Sequence, residues 1–79
     1  MREVIVYSRR GCHLCELLID EVEPLVRGRA VVTVRDVDTH PEWANAFGSD
    51  VPVVLVDGFE VCRHRLDRQA LLSALAAAV

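Results

Sequence analysis

Two cysteines three positions apart, Cys12 and Cys15, follow closely on the apolar run at residues 4–7. A pair at this spacing serves as a redox couple, as half of a metal site or as a structural staple. A structural staple is disfavoured, because a disulfide that closes so short a loop restricts the unfolded chain little. A structural zinc site needs four ligands, and the chain offers only Cys62 as a further cysteine, without a second CxxC. A soft-metal carrier of the copper type stays open beside the redox couple.

A helix that begins at the first cysteine would separate the two chemically. Residues three apart on a helix lie about 5 to 6 Å from each other, a separation that a disulfide tolerates. Cys12 would then hold the N-cap, where unpaired backbone N–H groups and the helix dipole favour a thiolate. Arg9, Arg10 and His13 would add positive charge nearby. We therefore expect Cys12 to be the nucleophile and Cys15 to resolve the mixed disulfide.

Strand and helix signals alternate in the first half of the chain. Residues 3–7 and 30–37 are β-branched runs typical of buried strands. Between them the apolar residues repeat every three or four positions, which predicts a helix that Gly28 ends. Thr39 is the predicted cap of a second, short helix, with a proline in the first turn and a glutamate three positions on. Gly48 should close that helix.

The second half predicts a hairpin and a last helix. Residues 51–56 indicate a central strand, with Pro52 at its start because proline donates no hydrogen bond within a ladder. The Asp-Gly pair at 57–58 is a hairpin signal, so residues 59–63 should return antiparallel. Asp67 is the predicted N-cap of the last helix. The apolar residues of its staple and stripe are Leu66, Leu71, Leu72, Leu75, Ala76 and Val79.

The predicted order is β-α-β-α-β-β-α in a single domain over residues 1–79. Strands that alternate with helices imply parallel pairing, and the hairpin implies antiparallel pairing. The expected architecture is therefore an α/β fold with a four-stranded mixed sheet covered by helices.

Composition excludes several classes of partner and location from our expectations. A net charge of -3 gives no reason to expect nucleic-acid binding. The first strand starts without the apolar segment of a signal peptide, and no stretch approaches the ~20 apolar residues of a membrane span. An odd number of cysteines suits a reducing compartment better than a secreted disulfide framework. We expect a cytoplasmic monomer, and the use of arginine alone among nine basic residues suggests a GC-rich bacterial gene.

Taken together, these residues resemble the glutaredoxins over the whole chain. The similarity is greatest to small glutaredoxin-like proteins of uncharacterised function whose site commonly reads Tyr-Ser-Arg-x-Gly-Cys-His-Leu-Cys. The residues that carry it are Tyr7, Ser8, Arg9, Cys12 and Cys15 at the first helix, Val51 and Pro52 before a central strand, and Asp57 and Gly58 after it.

The resemblance implies a thioredoxin fold in which Pro52 is cis and packs beside the cysteines. The backbone of Val51 would pair with an extended substrate chain by β-augmentation. The implied activity is thiol-disulfide oxidoreduction on protein or low-molecular-weight disulfides, with Cys12 and Cys15 as catalytic residues. Arg9, Val51 and Pro52 would bind substrate. No tightly bound cofactor and no metal ligand is expected, and the reductant would be glutathione or a thioredoxin-reductase-type enzyme.

The sequence departs from the glutathione-binding pattern of that family at three places. His13-Leu14 stands between the cysteines instead of Pro-Tyr or Pro-Phe, and Asp50 replaces a threonine before Val-Pro. Arg63-His64 stands where the family has Gly-Gly. These changes argue against glutathione as the preferred ligand. Two other classes stay open, namely a module that binds copper, zinc or an iron-sulfur cluster, and a non-catalytic partner-binding domain.

The remaining polar and sulfur-bearing residues have plainer interpretations. Cys62 alternates with its strand neighbours and is interpreted as a small core residue, with a regulatory or third redox thiol as the alternative. His13 is interpreted as a surface residue, and residues 63–65 as a solvated loop.

Overall fold

A computed structural model describes residues 1–77 and has the predicted order of strands and helices. The strands are β1 (Arg2–Ser8), β2 (Ala30–Asp36), β3 (Val53–Val56) and β4 (Phe59–Arg63), and the helices are α1 (His13–Val26), α2 (Pro41–Phe47) and α3 (Arg68–Ala76). A 3₁₀ turn (Val37–Thr39) joins β2 to α2. The predicted contribution of Val79 to the last helix lies outside the described residues.

The four strands form one mixed sheet in the order β2-β1-β3-β4. Strand β1 is parallel to β2 and antiparallel to β3, and β3 pairs antiparallel with β4 through the predicted Asp-Gly turn. Both turn residues have positive φ, 50° at Asp57 and 89° at Gly58, as a tight hairpin turn of the primed type requires. The predicted α/β architecture with a four-stranded mixed sheet is confirmed.

Helices cover both faces of this sheet. Apolar side chains alternate between the two faces along β1, so each face needs a covering layer. Val4 and Val6 lie under α1 and α3. They belong to the larger core cluster, whose other buried members are Leu18, Val22, Val26, Val54, Val56 and the completely buried Leu71. Ile5 and Tyr7 point to the other face, where α2 and the 3₁₀ turn cover them. Strand β1 is thus buried on both of its faces, which explains its continuous apolar sequence.

The start of α2 differs from the prediction, whereas its end at Gly48 is confirmed. Thr39 does not cap the helix, because its hydroxyl donates to the Asp36 carbonyl at 2.7 Å inside the 3₁₀ turn. The helix begins at Pro41 after an N-cap, His40, whose side chain makes no capping hydrogen bond. Gly48 ends the helix with φ at -56°, so no left-handed residue is needed. A Cβ there would instead collide with the Ala44 carbonyl, which accounts for the glycine.

Strand β3 and helix α3 form where they were predicted, but β3 is shorter. β3 starts at Val53, two residues later than predicted, so that residues 51 and 52 precede the ladder. Asp67 caps α3 by accepting from the Ala70 N–H at 3.0 Å, and Leu66 packs against the larger core cluster that holds Leu71. In the described part of the chain, residues 1–77, no helix has the length and apolar character needed to cross a membrane.

Candidate functional site

The cysteine pair lies at the junction between β1 and α1. The chain leaves β1 at Ser8 and turns through Gly11, whose φ of 74° favours glycine. Cys12 is the N-cap of α1, as the spacing predicted, and its Sγ accepts from the Cys15 N–H at 3.2 Å. The two cysteines are joined by a disulfide, and their Cα atoms are 5.2 Å apart.

Exposure differs between the two cysteines in the direction that separate roles require. Cys12 is partly exposed, whereas Cys15 is completely buried. A substrate can therefore approach Cys12 but not Cys15. Around the pair, His13 is mostly exposed, and Leu14 and Leu17 keep 53% and 45% of their surfaces in solvent.

The guanidinium of Arg9 is occupied by contacts within the protein. It donates to both carboxylate oxygens of Asp38, at 2.9 and 3.1 Å, and to the Gly48 carbonyl at 2.9 Å. The Asp38 carboxylate therefore balances the charge of Arg9, one of the three positive groups that the sequence analysis assigned to the environment of Cys12. The group that contacts the Cys12 sulfur directly is the backbone N–H of Cys15. Arg9 instead ties the loop before Cys12 to the 3₁₀ turn and to the end of α2.

Sequence reasoning missed Asp38, although a signal for it existed. Asp36 ends β2 and pairs with Ser8 at the end of β1. The carboxyl ends of parallel strands meet at one edge of a sheet, so polar residues just beyond each end are neighbours. Arg9 follows the first of these ends and Asp38 lies shortly beyond the second.

Charge neutralisation of Asp38 should destabilise the protein at neutral pH but not in acid. The hydrogen bond from Arg9 holds the pKa of Asp38 below its ordinary value of 3.8. A carboxyl with a lowered pKa stabilises the fold above its unfolded pKa and loses that contribution as pH falls through its folded pKa. Because the side chains of Arg9 and Asp38 keep 39% and 55% of their surfaces in solvent, we expect Asp38→Asn to lower the urea midpoint only slightly at about pH 7, and the gap to the unmodified protein to close towards about pH 2.5.

The matched control for this prediction is Asp20→Asn, which removes an exposed carboxylate of α1. Its urea midpoint should follow that of the unmodified protein at both pH values. A gap for Asp38→Asn that stays constant across the acid range would show that the ion pair with Arg9 is not its cause.

The segment before β3 reaches the edge of the sheet that carries the cysteines. Val53 pairs with Tyr7 near the end of β1, so the chain just before β3 lies beside the chain that leads to Cys12. The Val51–Pro52 peptide bond is cis, and Pro52 is buried. Within residues 1–77, the backbone N–H and C=O of Val51 have no hydrogen-bond partner. The structure thus brings an unpaired backbone edge to the same end of the sheet as Cys12.

The segment at 63–65 is not a freely solvated loop, contrary to its interpretation from sequence. Asp50 accepts from Arg63 Nη1 at 2.9 Å, and its other oxygen lies 3.1 Å from His64 Nε2. Arg63 also pairs with Glu60 and thereby lowers the pKa of that carboxyl. We call Asp50, Glu60, Arg63 and His64 the Asp50 cluster. Sequence reasoning missed these contacts because it did not supply the register of β3 on β4, which pairs Val53 with Arg63.

Cys62 packs against the larger core cluster and forms no disulfide. Its burial raises the pKa of the thiol above its ordinary 9.0, so it carries a proton at neutral pH. This state fits its interpretation as a small core residue. Within residues 1–77, no group of three or more His, Cys, Asp or Glu side chains converges as metal ligands.

Comparison with known proteins places these features in context. A family model described as a glutaredoxin-like domain matches residues 3–76. A Nitrosomonas europaea protein solved by NMR is 29% identical, with a TM-score of 0.78 over 89% of this chain and 86% of that one. An X-ray structure of an X. campestris protein is 27% identical, with a TM-score of 0.73 over 96% and 99% of the two chains.

A third similar structure is a mutant thioredoxin from Halobacterium salinarum. It is 26% identical, with a TM-score of 0.67 over 99% of this chain and 77% of that one. Among curated proteins, none matches this sequence.

Proposed function

Because the chain belongs to the glutaredoxin-like family, we propose that it is a thiol-disulfide oxidoreductase that reduces protein or low-molecular-weight disulfides through Cys12 and Cys15. One observation carries the proposal. A partly exposed sulfur at the N-cap of α1 accepts a backbone N–H and lies one helical turn from a buried second cysteine. This arrangement supports Cys12 as the nucleophile and the buried Cys15 as the resolving thiol.

In the first step the Cys12 thiolate attacks one sulfur of the substrate disulfide. A bond forms between Cys12 and that sulfur, the substrate S–S bond breaks, and the other substrate sulfur leaves as a thiolate that takes a proton from water. The backbone N–H of Cys15 and the α1 dipole stabilise the negative charge on Cys12 before the attack.

In the second step Cys15, after losing its proton, attacks the Cys12 sulfur of the mixed disulfide. The Cys12–Cys15 bond forms, and the second substrate sulfur leaves and is protonated. The protein has then lost two electrons and the substrate has gained them. The 5.2 Å between the two Cα atoms lets this step proceed with little backbone movement.

Substrate binding is proposed to use the unpaired backbone of Val51 beside the cis Pro52. An extended substrate chain can pair with this edge as an added strand, which holds its disulfide near Cys12. Arg9 keeps two N–H groups beyond its contacts to Asp38 and Gly48. These could serve a substrate carboxylate only at the rim of the site.

The electron donor is proposed to be glutathione or a thioredoxin-reductase-type enzyme. Asp50 directly precedes Val51 and shares Arg63 with Glu60, so two carboxylates and one arginine lie next to the proposed substrate-binding backbone, and this charge favours the enzyme donor over an anionic tripeptide. No tightly bound cofactor is proposed, and the partners are a disulfide substrate and this reductant. A monomer in the cytoplasm would meet both.

The function is tested with the reduced protein and a peptide disulfide in the absence of any other thiol. We expect the release of two substrate thiols for each Cys12–Cys15 disulfide formed, counted after an acid quench and alkylation. The oxidised product is then given NADPH with thioredoxin reductase, or NADPH with glutathione and its reductase, to identify the donor. An intact peptide disulfide would overturn the proposal, and stoichiometric copper, zinc or an iron-sulfur cluster on such inactive protein would favour the metal-binding alternative.

A further inference from the structure

His64 contacts the residues on both sides of Val51. Its backbone N–H donates to the Pro52 carbonyl at 2.7 Å, and its Nε2 lies 3.1 Å from Asp50 Oδ1. Asp50 is held further by Arg63 at its other oxygen and by its own N–H to the Phe47 carbonyl at 2.9 Å. Val51 therefore lies between two fixed neighbours while its own backbone groups are unpaired.

The backbone of His64 is in a conformation that glycine adopts most readily, although histidine enters it more often than most other residues do. Its φ is 70°, in the left-handed region where a side chain crowds the following carbonyl and glycine fits with less strain. A glycine would make the same backbone contact to Pro52. What the histidine adds at this position is therefore the imidazole contact to Asp50.

That contact is too exposed to contribute much to folding. The side chains of Asp50, Arg63 and His64 keep 36%, 37% and 56% of their surfaces in solvent. Ion pairs in such surroundings are screened and add little to stability. Their effect is geometric, because the two contacts to Asp50 fix the orientation of the residue directly before Val51.

We propose that His64 and Asp50 are positioning residues that hold the Val51 backbone ready to pair with an extended disulfide substrate. This inference rests on the proposed oxidoreductase function. The contact between His64 and Asp50 acts through Val51 and not through Cys12, whose sulfur is held separately by the Cys15 N–H. It follows that substrates long enough to pair with Val51 depend on this contact, and that small disulfides do not.

The test compares a peptide disulfide with 5,5′-dithiobis(2-nitrobenzoate), which has no backbone to pair. His64→Gly keeps the left-handed backbone and removes only the imidazole, so the protein should fold. We expect its KM for the peptide to rise about three- to tenfold, the effect of about one hydrogen bond, while kcat for the peptide and the rate with the small disulfide stay unchanged. His64→Gln, which places an amide N–H near the position of Nε2, should restore most of the loss.

The matched control is Glu60→Gln, because Glu60 contacts Arg63 but neither Asp50 nor the segment at 51–52. Its KM for the peptide should equal that of the unmodified protein. An equal KM for His64→Gly and the unmodified enzyme would overturn the positioning role while leaving the oxidoreductase function intact. Absence of turnover with both disulfides in the unmodified enzyme would instead overturn the function itself, and the inference with it.

A second measurement does not depend on turnover. In a Cys15→Ser protein carrying the peptide on Cys12, pairing should protect the Val51 amide from hydrogen exchange. We expect that protection to fall at least about threefold when His64→Gly is added. Unchanged protection would show that Val51 pairs equally well without the imidazole, and would overturn the proposal.

Discussion

Replacement of Cys12 by serine is expected to abolish disulfide reduction. A serine hydroxyl keeps its proton at neutral pH, and the buried Cys15 cannot reach a substrate in its place. The loss should be on the order of 10⁴-fold or more, as is found when other enzymes lose their nucleophile. The measurement is the rate of thiol release from the peptide disulfide at equal concentrations of the two proteins.

Replacement of Cys15 should give a different result, and the difference assigns the roles. Cys15→Ser keeps the nucleophile but removes the resolving thiol, so the first step proceeds and the mixed disulfide accumulates. Mass spectrometry under non-reducing conditions should find one substrate fragment attached to Cys12. An adduct on Cys15 in the Cys12→Ser protein would reverse the assignment, and undiminished turnover of Cys12→Ser would refute it.

The control for both variants is Cys62→Ala. Cys62 packs against the core with its thiol protonated, and the substitution removes only one small group there. Its rate of disulfide reduction should equal that of the unmodified protein. A reduced rate for this variant would support the alternative that Cys62 is a third redox thiol.

The fold could be predicted from local signals because they agree with one another. β-branched runs, an Asp-Gly turn and an Asp cap each specify a local structure that the sheet then combines. The capping residue of α2 could not be predicted in this way. Val37 is completely buried against Tyr7 and Val53, and its burial draws residues 37–39 into a 3₁₀ turn. The Thr39 hydroxyl then forms its hydrogen bond within that turn and does not cap α2. Tertiary packing thus overrides the local preference for threonine as the N-cap.

Sequence reasoning did not identify the polar contacts of the site for a related reason. Arg9 meets Asp38 only because β1 and β2 are parallel and in register, and Asp50 meets His64 only because the start of β3 pairs with the end of β4. A contact of this kind depends on which strand ends coincide, and a shift of one residue would separate the pair. The sequence alone identified Cys12 and Cys15 because their relation is local to one helical turn.

The site depends on a core with little stability to spare, and the largest stability loss is expected from Leu71→Ala. Leu71 is completely buried and packs through α3 onto the larger core cluster with Val4, Val6 and Leu18. Truncation of such a leucine costs about 2 to 5 kcal/mol, because it loses burial and leaves a cavity. A domain of this size has a free energy of unfolding of roughly 4 to 12 kcal/mol. The variant should therefore lose between about a sixth and all of its stability.

Urea unfolding followed by the fluorescence of Trp43, which packs edge-on against Tyr7 at 5.7 Å, measures this loss directly. The midpoint should fall at an unchanged slope, because the folded structure still buries the same elements. Leu17→Ala is the matched control, since it makes the same truncation on a helical residue that is 45% exposed, and its midpoint should change little. Equal shifts for the two variants would mean that the buried Leu71 contributes no more to the stability of the fold than the exposed Leu17.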